Sequence, residues 1–90
     1  MPKLFVIGCY VVFFWSGENE EPVHVHVGIG RPTPDATKFW LTSDGGCSLA
    51  SNGSAIPEKD LRMISKVLVS NYALICAKWS EFFGSITFYK

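Results

Sequence analysis

The chain has 90 residues, of which 48% are apolar, and its seven Phe, three Trp and three Tyr run from end to end. That composition excludes a disordered chain and, at this length, leaves room for one domain with a thin core. Eight basic and eight acidic side chains cancel, and no run of Lys or Arg forms the clustered charge on which nonspecific nucleic-acid binding rests.

The segments Lys3 to Ile7 and Tyr10 to Trp15 are rich in β-branched and aromatic residues and read as strands. Gly8-Cys9 between them suits a type II′ hairpin, since glycine accepts the positive φ of the first central position. Both faces of the second strand are apolar, with Val11, Phe13 and Trp15 on one and Tyr10, Val12 and Phe14 on the other. A sheet covered by a helix on one side needs one such face, so the surplus predicts a pocket or a subunit contact. The run Leu4 to Trp15 has Gly8 within it and no small-residue cleavage site after it, which argues against a signal peptide, and it is too short for a membrane helix. A cytoplasmic protein without membrane contact is expected. Three widely spaced cysteines, Cys9, Cys47 and Cys76, fit free thiols in a reducing compartment.

Ser16 to Glu21 is an acidic loop. Pro22 then opens a third strand, Val23 to Val27, in which His24 and His26 alternate with valines. Residues two apart on a strand share a face about 6.6 Å apart, so the two imidazoles are expected together on an open face, with the valines in the core. After the flexible stretch from Gly28 to Asp35 come a fourth strand, Ala36 to Thr42, and a short fifth, Cys47 to Ala50. Pro57 is placed to start a helix whose first turn holds Glu58 and Asp60. Leu61, Ile64, Leu68, Tyr72, Ile75, Trp79 and Phe82 recur at steps of three and four and mark its buried stripe. A single helix from Pro57 to Phe83 is about 40 Å long, with a bend expected at Ser70-Asn71. Gly84 stops it, and Ser85 to Tyr89 reads as a final edge strand. The whole is an α+β domain spanning residues 1–90: an antiparallel sheet of four or five strands with a long C-terminal helix on one face.

His24 and His26 are the candidate catalytic residues, because imidazole titrates near neutral pH. The same pair is an alternative metal-ligand set for a divalent ion such as zinc. Glu18, Glu20, Glu21 and Asp35 are the nearest acids in sequence, none at a diagnostic spacing. The competing reading makes the histidines two polar residues on a wet strand face. Lys38 and Trp40, with Trp15, are the candidate substrate- or partner-binding residues; Lys38-Phe39-Trp40 has the mixed character of a stacking platform for single-stranded nucleic acid, a weakly supported alternative partner, though core and edge packing explain these residues better.

The Met-Pro start, Pro22-Val23-His24-Val25-His26-Val27, Lys38-Phe39-Trp40-Leu41 and the Pro57-led helix ending at Trp79 resemble the small bacterial family called domain of unknown function 4160. Glu21-Pro22-Val23 stands where that family has a doubled proline. The resemblance marks His24, His26, Lys38 and Trp79 as pattern positions, implies a protein partner and carries no catalytic assignment. Two functional expectations result. The first is a bacterial interaction module or toxin-antitoxin-type component that binds a partner or its own copy through the open sheet face. The second is a small hydrolase or ribonuclease using His24 and His26, with or without metal.

Overall fold

The computed structural model describes residues 3–18 and 20–90; the Met1-Pro2 opening and Asn19 in the acidic loop lie outside the described residues. Five strands, β1 (Lys3–Ile7), β2 (Tyr10–Phe13), β3 (His24–Ile29), β4 (Thr37–Leu41) and β5 (Cys47–Ser51), form one antiparallel sheet in chain order. Each strand pairs with the next, as short connections favour. The opening turn is as expected. Ile7 pairs with Tyr10 across Gly8-Cys9, Gly8 has φ 58°, and Ala55 is the one non-glycine residue described with positive φ. Of the two turn residues, Gly8 alone has a positive φ, as a type II′ turn requires.

Two helices, α1 (Glu58–Ser70) and α2 (Tyr72–Phe83), follow. The single long helix is thus corrected to two, and the break falls at the expected bend. Asn71, at φ −109° and ψ 18°, shares its N–H between the Val67 and Leu68 carbonyls, and its Nδ2 donates to Val67 O at 2.9 Å. Its own carbonyl accepts from Ile75 N at 2.9 Å. One residue closes α1 and opens α2. Pro57, with ψ 145°, caps the first helix from outside.

Ile64, Leu68, Ile75 and Trp79 pack into one buried cluster with Val12, Phe14, Val25, Val27, Phe39 and Leu41. The stripe is confirmed except at its end. Phe82 is 47% exposed and Phe83 packs on the core instead, because a step of four from Trp79 follows the helical period more closely there. Val11, Phe13 and Ala36 form a second buried cluster on the opposite face, with Trp15 against it.

The expected edge strand at Ser85 to Tyr89 is absent: this segment has no regular structure. It is tied to the molecule as a strap. The amide of Val23 donates to Thr87 O at 2.8 Å, that of Ser43 to Lys90 O at 2.9 Å, and the Tyr89 ring stacks on Trp40 at 4.9 Å. Among the described residues no helix is long and apolar enough to cross a membrane.

Candidate functional site

The register of β3 sets the site. His26 lies opposite Phe13 on β2 and Lys38 on β4, and His24 lies opposite Trp40. Strand alternation puts these side chains on the face away from the helices. That face is not open. His24 is 0% and His26 7% exposed, which corrects the expectation of histidines on an uncovered surface. Rings from three directions enclose them: Trp79 and Trp40 lie 5.1 and 5.5 Å from the His24 ring, and Phe13 stacks on His26 at 5.4 Å.

The remaining cover is Glu18. After β2 the chain turns back, and the Trp15 N–H donates to Glu18 Oε1 at 2.7 Å. The other carboxylate oxygen, Oε2, lies 2.8 Å from Nε2 of both histidines. The two contacts differ. His26 Nε2 makes an aligned hydrogen bond, whereas His24 Nε2 is at ion-pair distance but out of line and has no hydrogen-bond partner. On its far side His24 donates Nδ1–H to the Pro22 carbonyl at 2.8 Å, since a carbonyl can only accept. His26 Nδ1 is buried without a partner. Burial opposes charge on the Glu18 carboxyl, but the two imidazoles and the Trp15 N–H outweigh it and hold the group far below the usual carboxylate range. Glu18 is therefore an anion wedged between two rings.

The nitrogen and oxygen donors of Glu18, His24 and His26 lie within 4.8 Å of one another. Glu18 had been one of four acids near the histidines with nothing to single it out. The turn at Ser16-Gly17, which folds the chain back three residues after Trp15, is the signal that could have distinguished it. Glu21 goes elsewhere, pairing with Lys38 Nζ at 2.8 Å.

The three residues expected to bind a partner border the cluster. Lys38 Nζ lies 4.2 Å from the centre of the Trp40 ring, and Trp15 meets Phe13 edge to face at 5.0 Å. Trp15 and Trp40 are half-buried, while Tyr89, which sequence reasoning did not include, is 58% exposed where it extends the strip beyond Trp40.

The family model for Domain of unknown function (DUF4160) matches residues 9–80, which contain the entire Glu18, His24 and His26 cluster. The chain belongs to this family. Within the matched DUF4160 segment also fall Trp15, Lys38, Trp40 and Trp79. No curated protein and no solved structure matches the chain.

Proposed function

We propose that this DUF4160 protein is a small interaction module whose contact surface is the strip formed by Trp15, Lys38 and Trp40, extended by Tyr89. The two-sided apolar hairpin does not support this contact, because Val11 and Phe13 are buried within the chain at 6% and 0% exposure. The observation that now carries the reading is the half-exposed aromatic strip on a rigid base. Trp and Tyr dominate binding energy at protein interfaces, and side chains already held by neighbours lose little entropy on association. Here Trp40 is held between Lys38 and Tyr89, and Trp15 against Phe13.

The occupant we assign is a second copy of the chain. Lys38 and Glu21 sit side by side on this surface, so a two-fold arrangement can exchange partners between copies, as a self-complementary interface requires. The zero net charge leaves little overall repulsion to oppose it. A bacterial setting and a toxin-antitoxin-type role belong to the same reading and rest on the family resemblance, while a cytoplasmic setting rests on the three widely spaced free cysteines. Sedimentation velocity over a range of concentrations tests the contact. Wild type is expected to dimerise, with Trp40→Ala weakening the dimer at least about tenfold, the effect of losing an interface anchor worth over 1.4 kcal/mol. A chain that stays monomeric throughout, or a dimer indifferent to Trp15→Ala and Trp40→Ala, overturns the assignment.

The second reading, a hydrolase or ribonuclease built on His24 and His26, gains a carboxylate partner in Glu18. The complete burial of His24 weighs against its direct contact with a substrate. Full activity or toxicity in a His24→Ala, His26→Ala double variant removes that reading.

A further inference from the structure

We propose that Glu18, His24 and His26 bind one divalent cation of the zinc class. This goes beyond the interaction reading and does not depend on it.

The first argument is the donor set. Two imidazole nitrogens and one carboxylate oxygen form a recurrent three-residue zinc set, with a fourth position left for water or another ligand. In this chain the three donors come from two elements, β3 and the preceding turn, and lie within 4.8 Å of one another.

The second argument is independent of composition and concerns His24. Because Nδ1 donates to the Pro22 carbonyl, the neutral ring carries a lone pair at Nε2. That lone pair is fully buried, has no hydrogen-bond partner among the described residues and sits 2.8 Å from a carboxylate oxygen. Two electron-rich atoms at that distance repel unless a proton or a metal cation lies between them, and the contact that lowers the Glu18 pKa is the one in which the proton is there. A backbone carbonyl on the far nitrogen is also the usual device for fixing the tautomer and orientation of a metal-binding histidine. A cation thus satisfies the Nε2 lone pair of His24, one of the two buried ring nitrogens, with His26 Nδ1, that lack a hydrogen-bond partner among the described residues.

Binding requires a small opening of the cluster. At zinc–ligand lengths of about 2.0–2.2 Å, tetrahedral donors stand about 3.3–3.5 Å apart, so the present 2.8 Å contacts must widen by about half an ångström. His26 must also shift its proton from Nε2 to Nδ1, a buried atom with no acceptor. That shift lowers the affinity without removing the site. The residual exposure of the cluster lies at Glu18 and His26, with side chains 13% and 9% exposed, so the fourth position is reached from that side.

Zinc chloride is the probe, titrated by calorimetry into chelator-stripped protein carrying Cys9→Ser, which removes the exposed thiol. Expected are one ion per chain and a change in tryptophan fluorescence, since Trp40 and Trp79 lie against His24. Glu18→Gln and His26→Gln should each weaken binding at least about tenfold, while Glu21→Gln, the neighbouring acid, should leave it within about twofold. Circular dichroism confirms that each variant is folded. Cobalt(II) absorbance of the otherwise wild-type chain supplies a readout that needs no variant at the cluster: nitrogen and oxygen coordination supports the site, and thiolate charge-transfer bands place the ion on a remaining cysteine and overturn it. Absence of saturable zinc binding overturns it too, as does equal weakening by Glu18→Gln and Glu21→Gln. A monomeric chain that binds zinc through Glu18 refutes the dimer while sustaining the metal site.

Discussion

At the scale of single residues, four positions have consequences that measurement can reach. Gly28 lies within β3, and a Cβ there would land on the Arg31 carbonyl; at Gly53 it would land on the Asp35 carbonyl. Backbone cannot move aside as a side-chain tip can, so Gly28→Ala and Gly53→Ala are each expected to lower unfolding stability by about 1–3 kcal/mol, the usual cost of overpacking; urea melts check this. Ala55 is the reverse case. Its φ of 53° costs an L-residue about 1–2 kcal/mol, while glycine there loses about 0.5–1 kcal/mol of extra chain entropy. Ala55→Gly is therefore expected to gain about 0.5 kcal/mol in the same assay.

Tyr10 ties a residue to a pH range. Its hydroxyl donates to Asp60 Oδ2 at the start of α1. That hydrogen bond, with burial and the nearby negative charge, raises its pKa from 10.0 to about 12. The folded state holds the proton more tightly than the unfolded chain, so the contribution is complete below the unfolded value and is lost as pH rises from 10.0 toward about 12. Tyr10→Phe should be less stable than wild type at neutral pH, with the difference shrinking across that alkaline range. Urea midpoints that stay equally far apart there contradict the link.

Among the elements, α2 has the most concentrated role. Trp79 meets Phe14 at 5.0 Å, Phe83 at 4.5 Å and the His24 ring at 5.1 Å. One side chain thus joins the helix layer to the histidine cluster. Trp79→Ala is expected to cost about 3–5 kcal/mol and to loosen His24, seen as altered imidazole resonances in NMR spectra; unchanged resonances in a folded variant would separate the two layers. The elements themselves were largely legible. Alternation in β3 and the three-and-four spacing of Ile64, Leu68, Ile75 and Trp79 are local patterns set by backbone geometry, and all four stripe residues are buried. The helix break was anticipated only as a bend, because its cause, the Asn71 backbone turned out of helical geometry with its side chain on the Val67 carbonyl, is a single-residue event that apolar spacing does not record.

For the molecule as a whole, the decisive feature is the cover on the second sheet face. The C-terminal strap holds its place through the amides of Val23 and Ser43, which donate to Thr87 O and Lys90 O. A chain shortened to end at Gly84 is expected to lose hydrogen-exchange protection at those two amides and to expose Trp40, with a red shift in tryptophan emission. Retained protection at both amides would show that the strap does not cover this face in solution.

By itself the sequence determined the first four strands, the hairpin at Gly8-Cys9, the helical stripe and the pairing of His24 with His26 on one side of β3, because each depends on the periodicity of a short segment. At the weaker patterns it offered a fifth strand that forms and one at Ser85 to Tyr89 that does not. It did not determine the environment of those histidines. That Glu18 rather than Glu20, Glu21 or Asp35 meets both rings, and that Trp79, Trp40 and Phe13 enclose them, was decided by the tertiary structure alone. These contacts depend on where loops and termini fold back across the sheet, and loop paths follow from long-range packing and hydrogen bonds that leave no repeat in the chain.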